Sequence, residues 1–253
     1  MTIVIVINQR ISKHAGSKQI HMLLRNWEDL PEFMRVDEVR LYYEVLKRHK
    51  GSLILKRAFD LVAGSVLLVI LAIPMGVIAI EIKRDSPGPV FYRQERVTTY
   101  GKKFKIHKFR TMVDGADHKG STVTVDHDSR ITKVGAKLRD KRLDELPQLF
   151  DVLDGNMSFV GTRPEAVKYV KQYEKYNKAY YATLLLPAGI TSEASIAYKD
   201  EARLLETADD VDLVYMRDVL PGKMKWNLES LKKFSFLGEI GTMLKTVMAV
   251  NKN

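Results

Sequence analysis

Asp144 and Glu145, side by side among basic and apolar residues, are the groups of this chain best suited to chemistry. Arg139 and Arg142 lie just upstream, and Leu143, Leu146, Phe150 and Leu153 mark one helical face around them. Pro147 is tolerated only in a first helical turn, where the amide it lacks would be unpaired anyway. The helix is therefore expected to begin near Asp144, a residue suited to an N-cap. Helix N-termini attract anions and point free amides at phosphate oxygens. A carboxylate there should stay ionised, and hence nucleophilic. Magnesium held by one or two carboxylates together with substrate phosphates would neutralise a diphosphate. Neighbouring helical residues project about 100° apart, so the two acids are expected to do separate jobs. A capping aspartate beside a solvated glutamate is the other reading of the same pair.

Two basic motifs could serve the same anion. Lys108-Phe-Arg110 sets two cations two residues apart at a strand end, facing one phosphate. Gly161-Thr-Arg163-Pro164-Glu165 fixes an arginine in a stiff, extended turn suited to bidentate phosphate binding. Surface salt bridges would account for either motif equally well. His107, His118 and His127 show no metal-ligand spacing and read as solvated, with His127 between Asp126 and Asp128 a minor candidate. No Walker loop, GxGxxG fingerprint or Ser-His-Asp order is present.

The elements that must position these residues surround an unusual segment. Leu61 to Ile80 carries no charge, and twenty residues of helix measure about 30 Å, the thickness of a hydrocarbon core. Pro74 lies within it and should bend it. Lys47, Arg48, Lys50, Lys56 and Arg57 precede the segment, and Lys83, Arg84, Arg93 and Arg96 follow it. The positive-inside rule has little asymmetry to act on here. A kinked span and a helix that bends at Pro74 and leaves on the side it entered both remain open. Ser86-Pro-Gly-Pro89 then ends the helix. Residues 90–93 and 103–110 alternate as short strands, with Phe104, Ile106 and Lys108 on one face and Lys105, His107 and Phe109 on the other. Residues 114–130 read as loop, and Lys199 to Asp212 as an acidic helical stretch. Near the end, Leu228, Leu231, Phe234, Leu237, Ile240, Leu244 and Val247 follow one helical face, punctuated by lysines and accompanied by Trp226, as an interfacial helix requires.

The chain has 253 residues, no cysteine, 45% hydrophobic and 28% charged residues, and a net charge of +10. That length supports a sizeable core, and the lack of cysteine rules out disulfides. The lysines bracket apolar segments and form no stripe with stacking aromatics, so a membrane surface is the expected partner and nucleic acid is not. Met1 to Asn8 reads as a buried strand, too short for a signal peptide, and nothing suggests export. The expected organisation is a preamble at 1–50 of unknown role, with a helix marked by Val36, Val39, Tyr43 and Leu46, then a membrane helix at 51–85 and a cytosolic domain at 86–253.

Taken together, Lys56-Arg-Ala-Phe-Asp60, Ser86 to Phe91, Gln94 to Val97, Phe104 to Met112, Asp128 to Thr132, Leu143 to Phe150, Asn156 to Gly161 and Arg163-Pro164 resemble the bacterial sugar transferases, or monotopic phosphoglycosyl transferases, in its short form. The resemblance implies an α/β, mainly helical, membrane-associated domain with one re-entrant helix broken at Pro74 and interfacial amphipathic helices. It implies that Asp144 attacks the sugar-proximal phosphate of a UDP-sugar, releasing UMP, and that polyprenyl (undecaprenyl) phosphate then takes the phosphosugar. Glu145 would support Mg2+ or handle protons, with Asp144 and Glu145 as metal ligands. Arg139, Arg163, Lys108, Arg110, Pro164 and Gln148 would bind phosphate or substrate. The implied setting is the cytoplasmic face of a bacterial inner membrane, with anionic lipids around the enzyme, downstream glycosyltransferases as partners, and polysaccharide, capsule or glycan as the product pathway. A catalytically degenerate scaffold for glycosyltransferases is the alternative. Thr162, Ile73 and the stretch Leu186 to Ser192 depart from the family pattern, and the last is where altered sugar selectivity is expected.

Overall fold

The computed structural model describes residues 24–116, 128–201, 205 and 210–250. The expected strand at Met1 to Asn8, together with His118, Asp126 and His127, lies outside the described residues, as does part of the acidic stretch after Glu201. Helix α1 (Asp37–Arg48) buries Val39, Tyr42, Tyr43 and Leu46, the i, i+3, i+4 and i+7 positions of one face. Helix α2 (Lys50–Asp85) follows after a single non-helical residue and runs for 36 residues, about 54 Å.

Most of the apolar surface of α2 is uncovered: Val62 is 67% exposed, Val69 77% and Ile73 80%. Among the described residues it is the one helix long and apolar enough to cross a membrane by length and composition. A narrow stripe at Leu53, Lys56, Asp60, Gly64, Met75 and Ile82 faces protein instead. The N-terminal half of that stripe is polar and fully occupied. Lys56 Nζ donates to the Val160 carbonyl at 2.6 Å and to both Glu239 carboxylate oxygens at 2.8 Å. Asp60 accepts from Ser158 Oγ at 3.0 Å and the Phe159 amide at 3.1 Å. At the far end Asp85 accepts from the Val134 amide at 3.0 Å. The break expected at Pro74 is not a break in secondary structure, because Pro74 lies inside one uninterrupted helix. A proline deletes one rung of the ladder, and flanking rungs can hold the helical path.

Strands β1 (Phe91–Val97) and β2 (Lys103–Phe109) pair antiparallel, Phe91 opposite Phe109 and Val97 opposite Lys103. Phe104 and Ile106 are buried on one face, as their alternation requires. Helices α3 (Lys133–Asp140) and α4 (Gln148–Leu153) come next, and then strand β3 (Met157–Val160), which pairs in parallel with β4 (Ala188–Thr191). Among the described residues these two short sheets sit within a mainly helical arrangement. The β3–β4 approach needs glycine: a Cβ on Gly189 would sit 2.2 Å from the Gly161 backbone.

The C-terminal amphipathic run divides. Helix α5 (Glu193–Ala197) precedes α6 (Leu220–Lys232), whose Leu228 and Leu231 are buried together with Phe234. Only α7 (Phe236–Val250) keeps its apolar face open, with Leu237 80% and Leu244 62% exposed. Ser235 accepts from the Gly238 amide and starts the new helix. The boundary expected at residue 50 does not separate two cores. Met34, Tyr43 and Leu46 share one cluster with Tyr181, Leu185, Leu220 and Met224.

Candidate active site

Asp144 and Glu145 stand in a 3-10 turn, Leu143–Glu145, and not at a helix cap. Arg142 makes the bend that begins the turn, with a left-handed backbone at φ 55° that costs a non-glycine residue roughly 1 kcal/mol. Pro147, at φ −64°, occupies the position before α4 and so tolerates the helix start as expected, three residues later than Asp144. The two acids do not diverge. In the tight turn both line one cavity, and both lie within reach of Lys108 from β2.

Lys108 Nζ is 3.0 Å from Glu145 Oε1 and 4.0 Å from Asp144 Oδ2. Arg163 also holds Glu145, Nη2 to the same Oε1 at 2.6 Å and Nη1 to Oε2 at 3.4 Å. Burial pushes the Glu145 carboxyl up, but the charges of Arg163 and Lys108 outweigh it and hold the group well below the usual carboxylate range. Asp144 is the opposite case. Burial lifts it above its ordinary value, against the pull of Lys108 and, more weakly, Arg139. Glu145 is therefore the firmly ionised acid of the pair and Asp144 the less stabilised one, which departs from the expectation drawn from a helix N-cap. Burial likewise pushes Lys108 down, against the charge of Glu145.

The position of Arg163 depends on the β3–β4 junction. The Gly161 amide donates to the Thr191 carbonyl at 3.0 Å, and the Gly189 amide to the Thr162 carbonyl at 2.9 Å. The stretch around Leu186 to Ser192 thus braces the turn carrying Arg163 and Pro164. Ile190 and Thr191 of this stretch line the cavity, together with Ser195, Ile196 and Tyr198 to Glu201 that follow it. Arg139 on α3 and Pro164 also line the cavity.

Two expected binding residues stand differently from the cluster at Glu145, although Arg110 also lines the cavity. Arg110, 5% exposed, donates to the carbonyls of Ser86 at 2.8 Å and Pro87, at the exit of α2, where a cation meets the negative end of the helix. Strand β2 ends at Phe109, so Arg110 no longer follows the two-residue alternation that would place it beside Lys108. Gln148 is 1% exposed, lies outside the cavity lining, and has neither side-chain polar atom paired. His107 is not solvated. Its Nδ1 lies 2.8 Å from Asp151 Oδ1 and its Nε2 meets Arg93. Arginine can only donate, so Nε2 accepts and Nδ1–H donates to Asp151, tying β2 to α4. Arg96, Glu165, Tyr215 and Lys223, none read as site residues from sequence, also line the cavity. For Arg96 the signal was available: it shares the strand face of Tyr92, whose partner in register is Lys108.

The cavity holds about 1760 Å³, and Leu67 and Leu71 of α2 form part of its wall beside the charged residues. Among the described residues no group of three or more metal-ligating side chains gathers. Both oxygens of Glu145 face cations, whereas Lys108 at 4.0 Å is the one ion-pair partner of Asp144 among the described residues. That donor set fits a magnesium ion that takes one or two carboxylates and draws its other ligands from substrate phosphates and water.

Residues 51–253 match the model of the family described as bacterial sugar transferase. The chain is 40% identical over 169 residues to the UDP-glucose:undecaprenyl-phosphate glucose-1-phosphate transferase of Escherichia coli strain K12, covering 65% of this chain and 36% of that protein. It is 32% identical over 196 residues to the UDP-N-acetylgalactosamine-undecaprenyl-phosphate N-acetylgalactosaminephosphotransferase of Aeromonas hydrophila, covering 78% and 43%. It is 47% identical over 117 residues to the exopolysaccharide production protein PSS of Rhizobium leguminosarum bv. phaseoli, covering 46% and 58%. The matched part of the chain spans less than half the length of the first two.

Proposed function

The chain belongs to the bacterial sugar transferase family, and on that premise we propose that it moves a sugar-1-phosphate from a UDP-sugar to undecaprenyl or a similar polyprenyl phosphate at the cytoplasmic face of a bacterial inner membrane. The observation that carries the reading is Asp144 beside the Lys108–Glu145–Arg163 cluster, in a cavity walled in part by the apolar helix α2. A carboxylate oxygen of Asp144 attacks the sugar-proximal phosphorus. The P–O bond to the nucleotide breaks, UMP leaves with its electron pair, and the phosphosugar remains on the aspartate. An oxygen of polyprenyl phosphate then attacks the same phosphorus, the bond to Asp144 breaks, and polyprenyl diphosphate sugar departs. Lys108, Arg163 and Arg139 hold the charge spread over the phosphoryl oxygens, with Glu145 fixing the first two at the right spacing. Magnesium, bound through Asp144 and the substrate phosphates with Glu145 next to it, would neutralise charge on the diphosphate.

The anchoring of α2 supports a re-entrant arrangement. Arg57 donates to the carbonyls of Val152 and Leu153, and Asp85 accepts from Val134, so both flanks of the apolar stretch are tied to one polar domain. A spanning helix would separate those flanks by about 30 Å of hydrocarbon. The exposed apolar sides of α2 and α7 then face lipid, with the basic flanks at anionic headgroups. The product suits the first membrane step of polysaccharide, capsule or glycan synthesis, ahead of glycosyltransferases that extend it. The purified chain, given polyprenyl phosphate, Mg2+ and a set of UDP-sugars, is expected to release UMP from at least one of them. Release from none of them would favour a non-enzymatic scaffold.

A further inference from the structure

The cavity around Asp144 carries a second set of polar residues that the transfer chemistry does not use. Tyr215 Oη donates to Glu165 Oε1 at 2.7 Å, and Lys223 Nζ donates to Glu201 Oε2 at 2.8 Å and to Tyr215 Oη at 3.2 Å. Glu165, Tyr215 and Lys223 are all buried, yet each lines the cavity. Arg96 joins them from β1. Its Nη1 is buried and has no hydrogen-bond partner. A buried donor left unpaired costs about 1–3 kcal/mol, and more when charged, so an acceptor supplied by a ligand would recover that loss.

The chemistry of the set narrows the ligand. A nucleobase is usually gripped by an open aromatic face. Here the rings of Tyr169 and Tyr215 pack on each other, with centroids 4.9 Å apart, and are 5% and 4% exposed, so neither offers a platform. Two carboxylates and the Lys223 ammonium in one network, with Arg96 on the same cavity wall, suit a polyol, each of whose hydroxyls both donates and accepts. Position agrees. Arg96 stands opposite Phe104 and Lys108 opposite Tyr92, four residues apart along the hairpin, or about 13 Å of backbone. That leaves room for a hexose ring between the Arg96 head and a phosphate held by Lys108. In two successive transfers at Asp144 the nucleotide departs and the lipid arrives, while the sugar stays throughout and needs protein contacts of its own.

We propose that Arg96 and the Glu165–Tyr215–Lys223–Glu201 network form the subsite for the hexose of the donor and select among sugars there. This rests on the transferase reading above. Arg96 donates to a ring-substituent oxygen, a hydroxyl or an acetamido carbonyl, and Glu201 accepts from a hydroxyl.

The test uses the full chain in detergent with polyprenyl phosphate and Mg2+. Arg96→Lys and Glu201→Gln are compared with wild type for kcat/KM on UDP-glucose, UDP-N-acetylglucosamine and UDP-N-acetylgalactosamine, and for inhibition by UMP. The expected result is a tenfold or larger change in the ratios among the three sugars, with UMP inhibition unchanged. An equal loss on all three with weaker UMP inhibition would assign the residues to the nucleotide and overturn the proposal, as would unchanged ratios. If Arg96→Lys loses its thermal transition, Glu201→Gln, at a half-buried position, decides alone. A wild-type chain that releases no UMP from any donor defeats the transferase reading itself, a result distinct from an active enzyme with unmoved ratios.

Discussion

Asp144→Asn is expected to lower UMP release by at least about 10³-fold while the protein stays folded. The amide matches the carboxylate in size but cannot form the bond to phosphorus. Its effect on stability follows from the site. Burial disfavours the charged form of Asp144, and Lys108 keeps its closer partner Glu145 at 3.0 Å. Replacing the acid with a neutral group therefore removes a desolvation cost and orphans no cation, so unfolding free energy should be unchanged or higher by up to about 1 kcal/mol. Paired assays of UMP release and chemical denaturation check both halves. An active Asp144→Asn enzyme would exclude covalent chemistry at this residue.

Glu145→Gln should behave in the reverse way, with stability the larger casualty. Glu145 accepts from Lys108 at 3.0 Å and Arg163 at 2.6 Å, and its removal leaves two largely buried cations facing each other. Breaking a buried ion pair from one side costs about 3–5 kcal/mol. The mutant should recover part of that loss when pyrophosphate is added, because an anion in the cleft replaces the missing charge; a ligand at a hundred times its Kd contributes about 2.7 kcal/mol. Denaturant unfolding with and without pyrophosphate reads both effects. A loss below about 1 kcal/mol would mean that water already screens the cluster.

Much of this arrangement was legible in the sequence, because the signals were local. The burial of Phe104 and Ile106 follows from strand alternation, and the apolar helix from its length and lack of charge. The union of Asp144, Glu145, Lys108 and Arg163 followed from the order of motifs and from family resemblance. What stayed hidden depends on chain direction at the ends of elements. Arg110 lies one residue past β2, and there the chain turns its guanidinium to the exit of α2. The amphipathic pattern from Leu228 to Val247 is continuous in sequence, yet Lys233 to Ser235 interrupts the helix and sends one half to the core and the other to the surface. Periodicity names a face without naming what covers it. For the same reason the helix at Asp37–Arg48 could be read from its spacing, but not its burial against Tyr181 and Leu220.

The most direct measurement is the intact mass of the protein after incubation with a UDP-sugar that it uses, in the absence of any lipid acceptor. The expected result is a gain equal to one phosphosugar less the elements of water, mapped by fragmentation to the peptide containing Asp144, lost on adding polyprenyl phosphate and absent from Asp144→Asn. An unmodified protein that releases UMP only when donor and acceptor are both present would contradict the two-step transfer.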